Sequence, residues 1–122
     1  MKKSLTDAEL ELMTILWRLS EGSVNDVLAA LPPERKLAYT SVSTILRILE
    51  QKKIVASRKE GRGHVYFPRI SKSEYEADTI ENVVTKVFDG APVALVKQLL
   101  DTTHLSEADL KEIRKLLNER MK

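Results

Sequence analysis

Between Tyr39 and Arg47 the chain carries Tyr39, Thr40, Ser41, Ser43, Thr44 and Arg47, interleaved with Val42, Ile45 and Leu46. Short hydroxyl side chains around a single guanidinium suit nucleic acid. Arginine pairs bidentately with guanine, and Thr or Ser hydroxyls reach base edges or phosphate oxygens. A second group, Arg58, Lys59, Arg62 and His64, flanks Glu60-Gly61-Arg62-Gly63 and suits a phosphate backbone. Other chemistry finds little footing. His64 and His104 lie in separate halves of the chain, and no serine or carboxylate pattern around either suggests a nucleophile or a metal cluster. The acidic residues Glu74, Glu76, Asp78 and Glu81 scatter around a helix, and some of them suit its positive N-terminus. Gly61-Arg62-Gly63 lacks the strand-to-helix context of a phosphate loop. The chain has no cysteine, which excludes disulfides, thiolate metal sites and cysteine nucleophiles together. The expectation is a protein without catalytic residues, metal or cofactor.

The charge distribution agrees with a polyanionic partner. Residues 1–70 hold 12 Lys/Arg against 8 Asp/Glu, whereas residues 71–122 hold 8 against 10, so the overall charge of +2 hides a basic first half. Within it, residues 47–69 carry 7 basic and 2 acidic side chains. A length of 122 residues, 43% hydrophobic and 31% charged, fits one compact domain or two very small ones. The longest apolar run, Val27 to Leu31, is too short for a membrane span, and Met1-Lys2-Lys3-Ser4 leads into acidic residues instead of an apolar signal segment. The expected address is the cytoplasm, away from any membrane.

The elements that must position these residues follow from caps and periodicity. Thr6 to Glu9 reads as a capping box with Leu5 and Leu10 as its hydrophobic staple, so a first helix starts near Asp7. Leu10, Met13 and Trp17, with Leu12, Leu16 and Leu19 beside them, form its apolar stripe until Ser20-Glu21-Gly22 ends it. Ser23 caps a short second helix bearing Val24, Val27, Leu28 and Leu31, stopped by Pro32-Pro33. A third helix spans Tyr39 to Gln51. At about 100° per residue, Val42, Ile45, Leu46 and Leu49 share one side, and Thr40, Ser43, Thr44, Arg47 and Gln51 the other. Its exposed side is rich in poor helix formers, where local stability alone would favour Glu and Lys. Ile54 to Lys59 and His64 to Phe67 read as the strands of a hairpin with a basic tip, ended by Pro68.

Three more helices follow. Ser71 to Glu74 forms another capping box, with Ile70 and Tyr75 as staple, and opens a helix bearing Ile80, Val83, Val84, Val87 and Phe88, with Gly90 placed to end it. Pro92 starts a helix carrying Leu95, Val96, Leu99 and Leu100. Ser106 caps the last, with Leu105 and Leu110 as staple and Ile113, Leu116 and Leu117 in its stripe. The fold class is therefore mainly α with a small β-hairpin: a winged helix-turn-helix (α-α-α-β-β) over residues 1–70, then a three-helix domain over 71–122. In a winged helix the third helix enters the major groove and the hairpin reaches the backbone. The bland alternative is a solvated helix face beside an ornamental hairpin, or a protein-interaction module that never touches DNA. Three helices with Val and Leu stripes in about fifty residues enclose little core alone. A second copy is the expected cover, through Val83, Val84, Val87, Leu95, Leu99, Ile113 and Leu117; the alternative is that these helices pack only against the winged helix of the same chain.

The runs Leu10-Glu11-Leu12-Met13-Thr14-Ile15-Leu16-Trp17, Leu37 to Leu49, Gln51-Lys52-Lys53-Ile54-Val55 and His64-Val65-Tyr66-Phe67 resemble the penicillinase-repressor family, the group of BlaI, MecI and CopY. The similarity covers almost the whole chain. It implies a homodimeric winged-helix transcriptional repressor on a palindromic double-stranded operator, dimerising through its C-terminal helices. For the antibiotic-responsive branch it implies control of a β-lactamase-type operon and release when a membrane-sensor pathway triggers cleavage in the fifth helix, so a sensor-linked protease is a further expected partner. The chain departs from the family at two points. The copper-responsive branch has a cysteine pair motif that is absent here, and where the antibiotic-responsive branch is cut at Asn-Phe this chain offers Gln98-Leu99.

Overall fold

The computed structural model describes residues 4–122; Met1 to Lys3, whose lack of signal character was read above, lie outside the described residues. The element order is α1 (Asp7–Leu19), α2 (Val24–Ala29), α3 (Tyr39–Gln51), β1 (Val55–Glu60), β2 (Gly63–Pro68), α4 (Lys72–Lys86), α5 (Pro92–Thr102) and α6 (Glu107–Arg120). The chain divides into two compact units, the first ending at Thr79 and the second running from Ile80 to Lys122.

The first unit is a winged helix. Its first helix begins where the capping box predicts. The Thr6 hydroxyl accepts the Glu9 amide at 3.1 Å, and the Glu9 carboxylate accepts the Thr6 amide at 3.0 Å. Ser23 and Asp26 repeat the box at α2. The core gathers one face from each helix: Leu12, Met13, Ile15 and Leu16 of α1, Val24 and Val27 of α2, and Val42, Leu46 and Leu49 of α3, closed by Ile54, Val55 and Tyr66. The periodicity puts Leu19 in this stripe and passes over Ile15. Leu19 is exposed because the helix ends there, with Ser20 at φ 77°, while Ile15 is buried. Leu5, Trp17 and Ile70 pack against the core from its margin.

Each strand is offset by about one residue from its expected bounds. Lys53 takes φ 63° as α3 ends, and the Ile54 amide still bonds the Leu49 carbonyl, so pairing begins at Val55. The antiparallel register runs from Val55 opposite Pro68 to Glu60 opposite Gly63. This leaves Gly61-Arg62 as a two-residue turn. Gly61 has φ +59°, a conformation a side chain would strain. One further pairing has no local signal. Gly22 and Tyr66 exchange both backbone hydrogen bonds, 2.9 and 2.8 Å, and tie the loop after α1 to the wing. A Cβ at Gly22 would stand 3.2 Å from the Asp26 Cβ.

The compact unit extends beyond Ile70 because α1 holds the start of α4. The Trp17 indole N–H donates to the Ile70 carbonyl at 3.0 Å, and its ring lies 5.6 Å from that of Tyr75. The capping box at Ser71 and Glu74 forms as expected.

The second unit contains the end of α4, α5 and α6. Beyond Lys86 the chain closes in a tight turn, with the Gly90 amide donating to the Val84 carbonyl and Gly90 at φ 80°. Ser106 and Asp109 box the start of α6. No residue of α4, α5 or α6 is buried. Among the described residues no helix is long and apolar enough to cross a membrane.

Candidate nucleic-acid interface

Helix α3 is amphipathic in an unusual chemical sense. Val42, Leu46 and Leu49 are fully buried, which fixes the rotation of the helix and turns Tyr39, Thr40, Ser41, Thr44, Arg47 and Gln51 outward. Ser43 is half-buried and thus lies at the margin of that face. Tyr39, in the first turn, is 51% exposed. Thr40, Ser41, Thr44 and Ile45 line a shallow recess of about 390 Å³. No side chain caps α3 at its N-terminus, where Ala38 stands, so the first-turn amides remain available to an external acceptor.

One hydrogen bond and one buried ring join this helix to the wing. The Ser57 hydroxyl of β1 donates to the Glu50 carboxylate at 2.7 Å. Tyr66 of β2 is buried against the core; its hydroxyl titrates above the ordinary phenol range, first through that burial, then through the Glu50 charge, with the Arg47 charge opposing. Tyr66 therefore ties wing and helix together, a role that alternation alone did not single out. The ring of His64, exposed beside the turn, lies 6.5 Å from that of Tyr66 at a tilt.

The wing cations differ in their electrostatic state. Arg58 meets Glu21 through two hydrogen bonds, 2.9 and 2.8 Å, and also reaches Glu60. These bonds raise its already high pKa and hold the Glu21 carboxyl below its ordinary range. Neither Glu21 nor the double pairing was legible from sequence, since 37 residues separate the partners. Lys59 and Arg62 form no ion pair among the described residues, and both are exposed beside the turn. Arg47 is likewise exposed on α3. The sequence-predicted residues thus fall on two neighbouring elements of one unit, α3 and the β1–β2 hairpin, with Arg58 neutralised locally and Arg47, Lys59 and Arg62 unneutralised.

The residues expected to pair with a second copy lie in the other unit. Val83, Val84, Leu95 and Ile113 are half-buried, whereas Val87, Leu99 and Leu117 are 66%, 49% and 55% exposed. Gln98 is exposed on α5, and its carbonyl accepts a hydrogen bond from the Thr102 hydroxyl as well as lying in the helix.

A core of three helices, an antiparallel wing and an outward polar helix face define a winged-helix protein of the DNA-binding class. The chain belongs to the penicillinase repressor family, whose sequence profile matches residues 5–119. It is 30% identical over 121 residues to the penicillinase repressor of Bacillus licheniformis, covering 98% of this chain and 94% of that one. Among solved structures it resembles the DNA-binding domain of the repressor BlaI, with 36% identity and a TM-score of 0.53 over 62% of this chain and 94% of that one. It also resembles the monomeric form of Bacillus licheniformis BlaI in complex with the blaP half-operator, again at 36% identity, with a TM-score of 0.51 and the same coverage.

Proposed function

We propose that this chain represses transcription as a homodimer on a palindromic operator, with α3 in the major groove and the wing along the phosphate backbone. The observation that carries this reading is the exposed face of α3, hydroxyls around Arg47, set by the fully buried Val42, Leu46 and Leu49 behind it. The likeness to a relative bound to a half-operator supports it. Arg47 reads a guanine, Tyr39, Thr40, Ser41, Ser43 and Thr44 contact bases or phosphates, and Lys59, Arg62 and His64 hold the backbone. Arg58 follows them once phosphate displaces Glu21. Two copies joined through α4 to α6 match a two-fold operator, because the symmetry of the protein dictates that of the half-sites.

Binding to the chain's own promoter, measured by anisotropy, should be preferred over random duplex. It should fall roughly 10³–10⁵-fold between 50 and 200 mM salt if six to ten phosphates are contacted. No preference and no salt dependence would instead favour a protein-interaction module.

Repression ends, in this reading, when a sensor-linked protease cuts Gln98-Leu99, as for a β-lactamase-type operon. The Gln98 carbonyl is bonded by Thr102, so α5 must open locally first. Ala91 offers no side-chain cap to hold its start. Mass spectrometry of the protein from cells exposed to a β-lactam decides the point: an intact chain during full derepression rules out cleavage.

A further inference from the structure

Within the first unit, away from the α3 face, an open groove of about 610 Å³ runs between α1 and the segment that joins β2 to α4. Its apolar floor is Trp17, Pro68 and Ile70, and its rim is Arg18, Arg69 and Lys72, with no carboxylate in the lining. The floor is fixed from behind. The Trp17 indole N–H bonds the Ile70 carbonyl, and the Arg69 amide bonds the Ile54 carbonyl at 2.8 Å, so the walls are built into the core and need no rearrangement to receive a ligand. The three cations differ in freedom. Arg18 donates to the Ala30 carbonyl at 3.5 Å, Lys72 pairs with Glu76 one turn along α4, and Arg69 has no polar partner for its side chain among the described residues.

We propose that this groove is a binding site for a small planar carboxylate, an aromatic monocarboxylic acid. A flat ring fits over the indole and the Pro68 and Ile70 side chains, where it removes apolar surface from water, and the carboxylate meets the Arg69 guanidinium, with Arg18 adding charge of the same sign while Lys72 stays paired with Glu76. The volume lies within the range of small-molecule sites. A neutral ring of the same size gains only the apolar contact. A free phosphate gains only the charge.

Trp17 is the single tryptophan of the chain, so the site carries its own probe. Benzoate titrated into the full-length protein, with excitation at the red edge of the indole band, should give a saturable change in Trp17 emission, with benzamide and inorganic phosphate each at least tenfold weaker. Arg69→Glu should weaken benzoate at least tenfold, and Arg18→Glu should do so to a smaller extent. Arg62→Glu, a reversal of equal size in the wing, should leave the curve unchanged. Circular dichroism confirms that each variant is folded, and calorimetry on the wild-type chain repeats the affinity without relying on Trp17. These measurements use no DNA and therefore stand or fall apart from the operator reading. An unsaturable response, equal binding of benzamide, or equal weakening by Arg62→Glu overturns the proposal. So does a groove that serves duplex DNA instead, seen as Arg18→Glu and Arg69→Glu lowering duplex affinity as much as Arg62→Glu while benzoate fails to saturate.

Discussion

Residues 4–79 and 80–122 both carry apolar side chains at helical spacing, yet Leu12, Met13, Leu16, Val27, Val42, Leu46 and Leu49 are fully buried in the first, whereas Val87, Val93, Leu99, Leu117 and Met121 stand exposed in the second. Composition does not explain the contrast. In the first unit three helices meet at one point and a hairpin closes the open side, so a small number of residues can enclose a core. In the second, the end of α4, α5 and α6 each present a stripe, and about forty residues provide too little surface to cover all three. A self-sufficient unit suits a part that must hold a recognition face rigid. A unit with exposed apolar stripes and no buried residue suits a part whose folding partner is another molecule, because monomers seldom leave such patches in water.

The contrast is broken most severely by cutting the chain between the units. A fragment ending at Thr79 should be folded and monomeric, since Trp17, Ile70 and Tyr75 keep the start of α4 attached, whereas the full chain should be dimeric. Promoter affinity should fall on the order of 10²–10⁴-fold, the usual gain from linking two binding modules. Sedimentation and anisotropy on both forms test this. A dimeric fragment, or a monomeric full chain at micromolar concentration, would show that the second unit is covered in some other way.

Single side chains sharpen the same contrast. Leu46→Ala opens a cavity in a closed core and should cost about 2–5 kcal/mol in urea unfolding at any protein concentration. Leu117→Ala removes a side chain that the single chain leaves exposed. Its effect should appear as a weaker dimer, with a midpoint that depends on protein concentration. Equal, concentration-independent losses would mean that both leucines serve the same core.

How far the residues alone foretold the structure follows the same divide. Local signals were legible: the boxes at Thr6 and Ser71 and the cap at Ser106 formed, and Val42, Leu46 and Leu49 oppose Thr40, Thr44 and Arg47 as read, although Ile45, expected inside, and Ser43, expected outside, are both half-buried at the margin. Both depend on neighbours within one or two turns. What escaped was tertiary. Gly22 read as a helix terminator, yet it also pairs with Tyr66; Glu9 read as a box residue, yet it also meets Lys52; Arg58 read as a contact to a phosphate backbone, yet it is shared by Glu21 and Glu60. Each partner lies far away along the chain, and periodicity carries no information on which loop passes beside which strand. The fold class could be read because burial repeats with the helix period. The electrostatic state of the wing could not.

Within the candidate interface the expected effects are smaller and differ in kind. Arg47→Ala should cost about 1–3 kcal/mol of operator affinity and relax preference at one base position, as loss of a bidentate contact does. Arg62→Ala should weaken specific and random duplex alike and reduce the salt slope by about one. Competition anisotropy against an operator library separates the two. An Arg47→Ala protein that is folded and unchanged in both affinity and preference would remove α3 from the major groove. Arg58→Ala should resemble neither, because Glu21 and Glu60 already screen it, and its effect should grow once Glu21 is changed to Gln.

The smallest expected effect concerns Glu9, the one buried charged residue of the first unit among the described residues, 6% exposed and bonded to the Lys52 ammonium at 2.7 Å. Burial pushes its carboxyl upward, but the hydrogen bonds from Lys52 and Thr6 and the lysine charge outweigh that and hold it below the ordinary carboxylate range. The sign of the pH dependence follows. A carboxyl with a lower pKa folded than unfolded adds stability that is complete above its unfolded value and is lost as pH falls through the folded one. Glu9→Gln keeps an oxygen that can accept the Thr6 amide but removes the charge that meets Lys52. It should cost about 1 kcal/mol near neutral pH, below the usual range for a charge-assisted bond, since Lys52 keeps partial contact with water. The difference from wild type should then shrink as the pH is lowered past the ordinary carboxylate range. Urea unfolding of the Thr79-terminated fragment at stepped pH measures this without interference from dimerisation. A gap that stays constant down to strongly acidic pH would mean that Glu9 supports the fold by its shape and capping bond alone, and that the N-terminal unit holds its core without the Lys52 pairing.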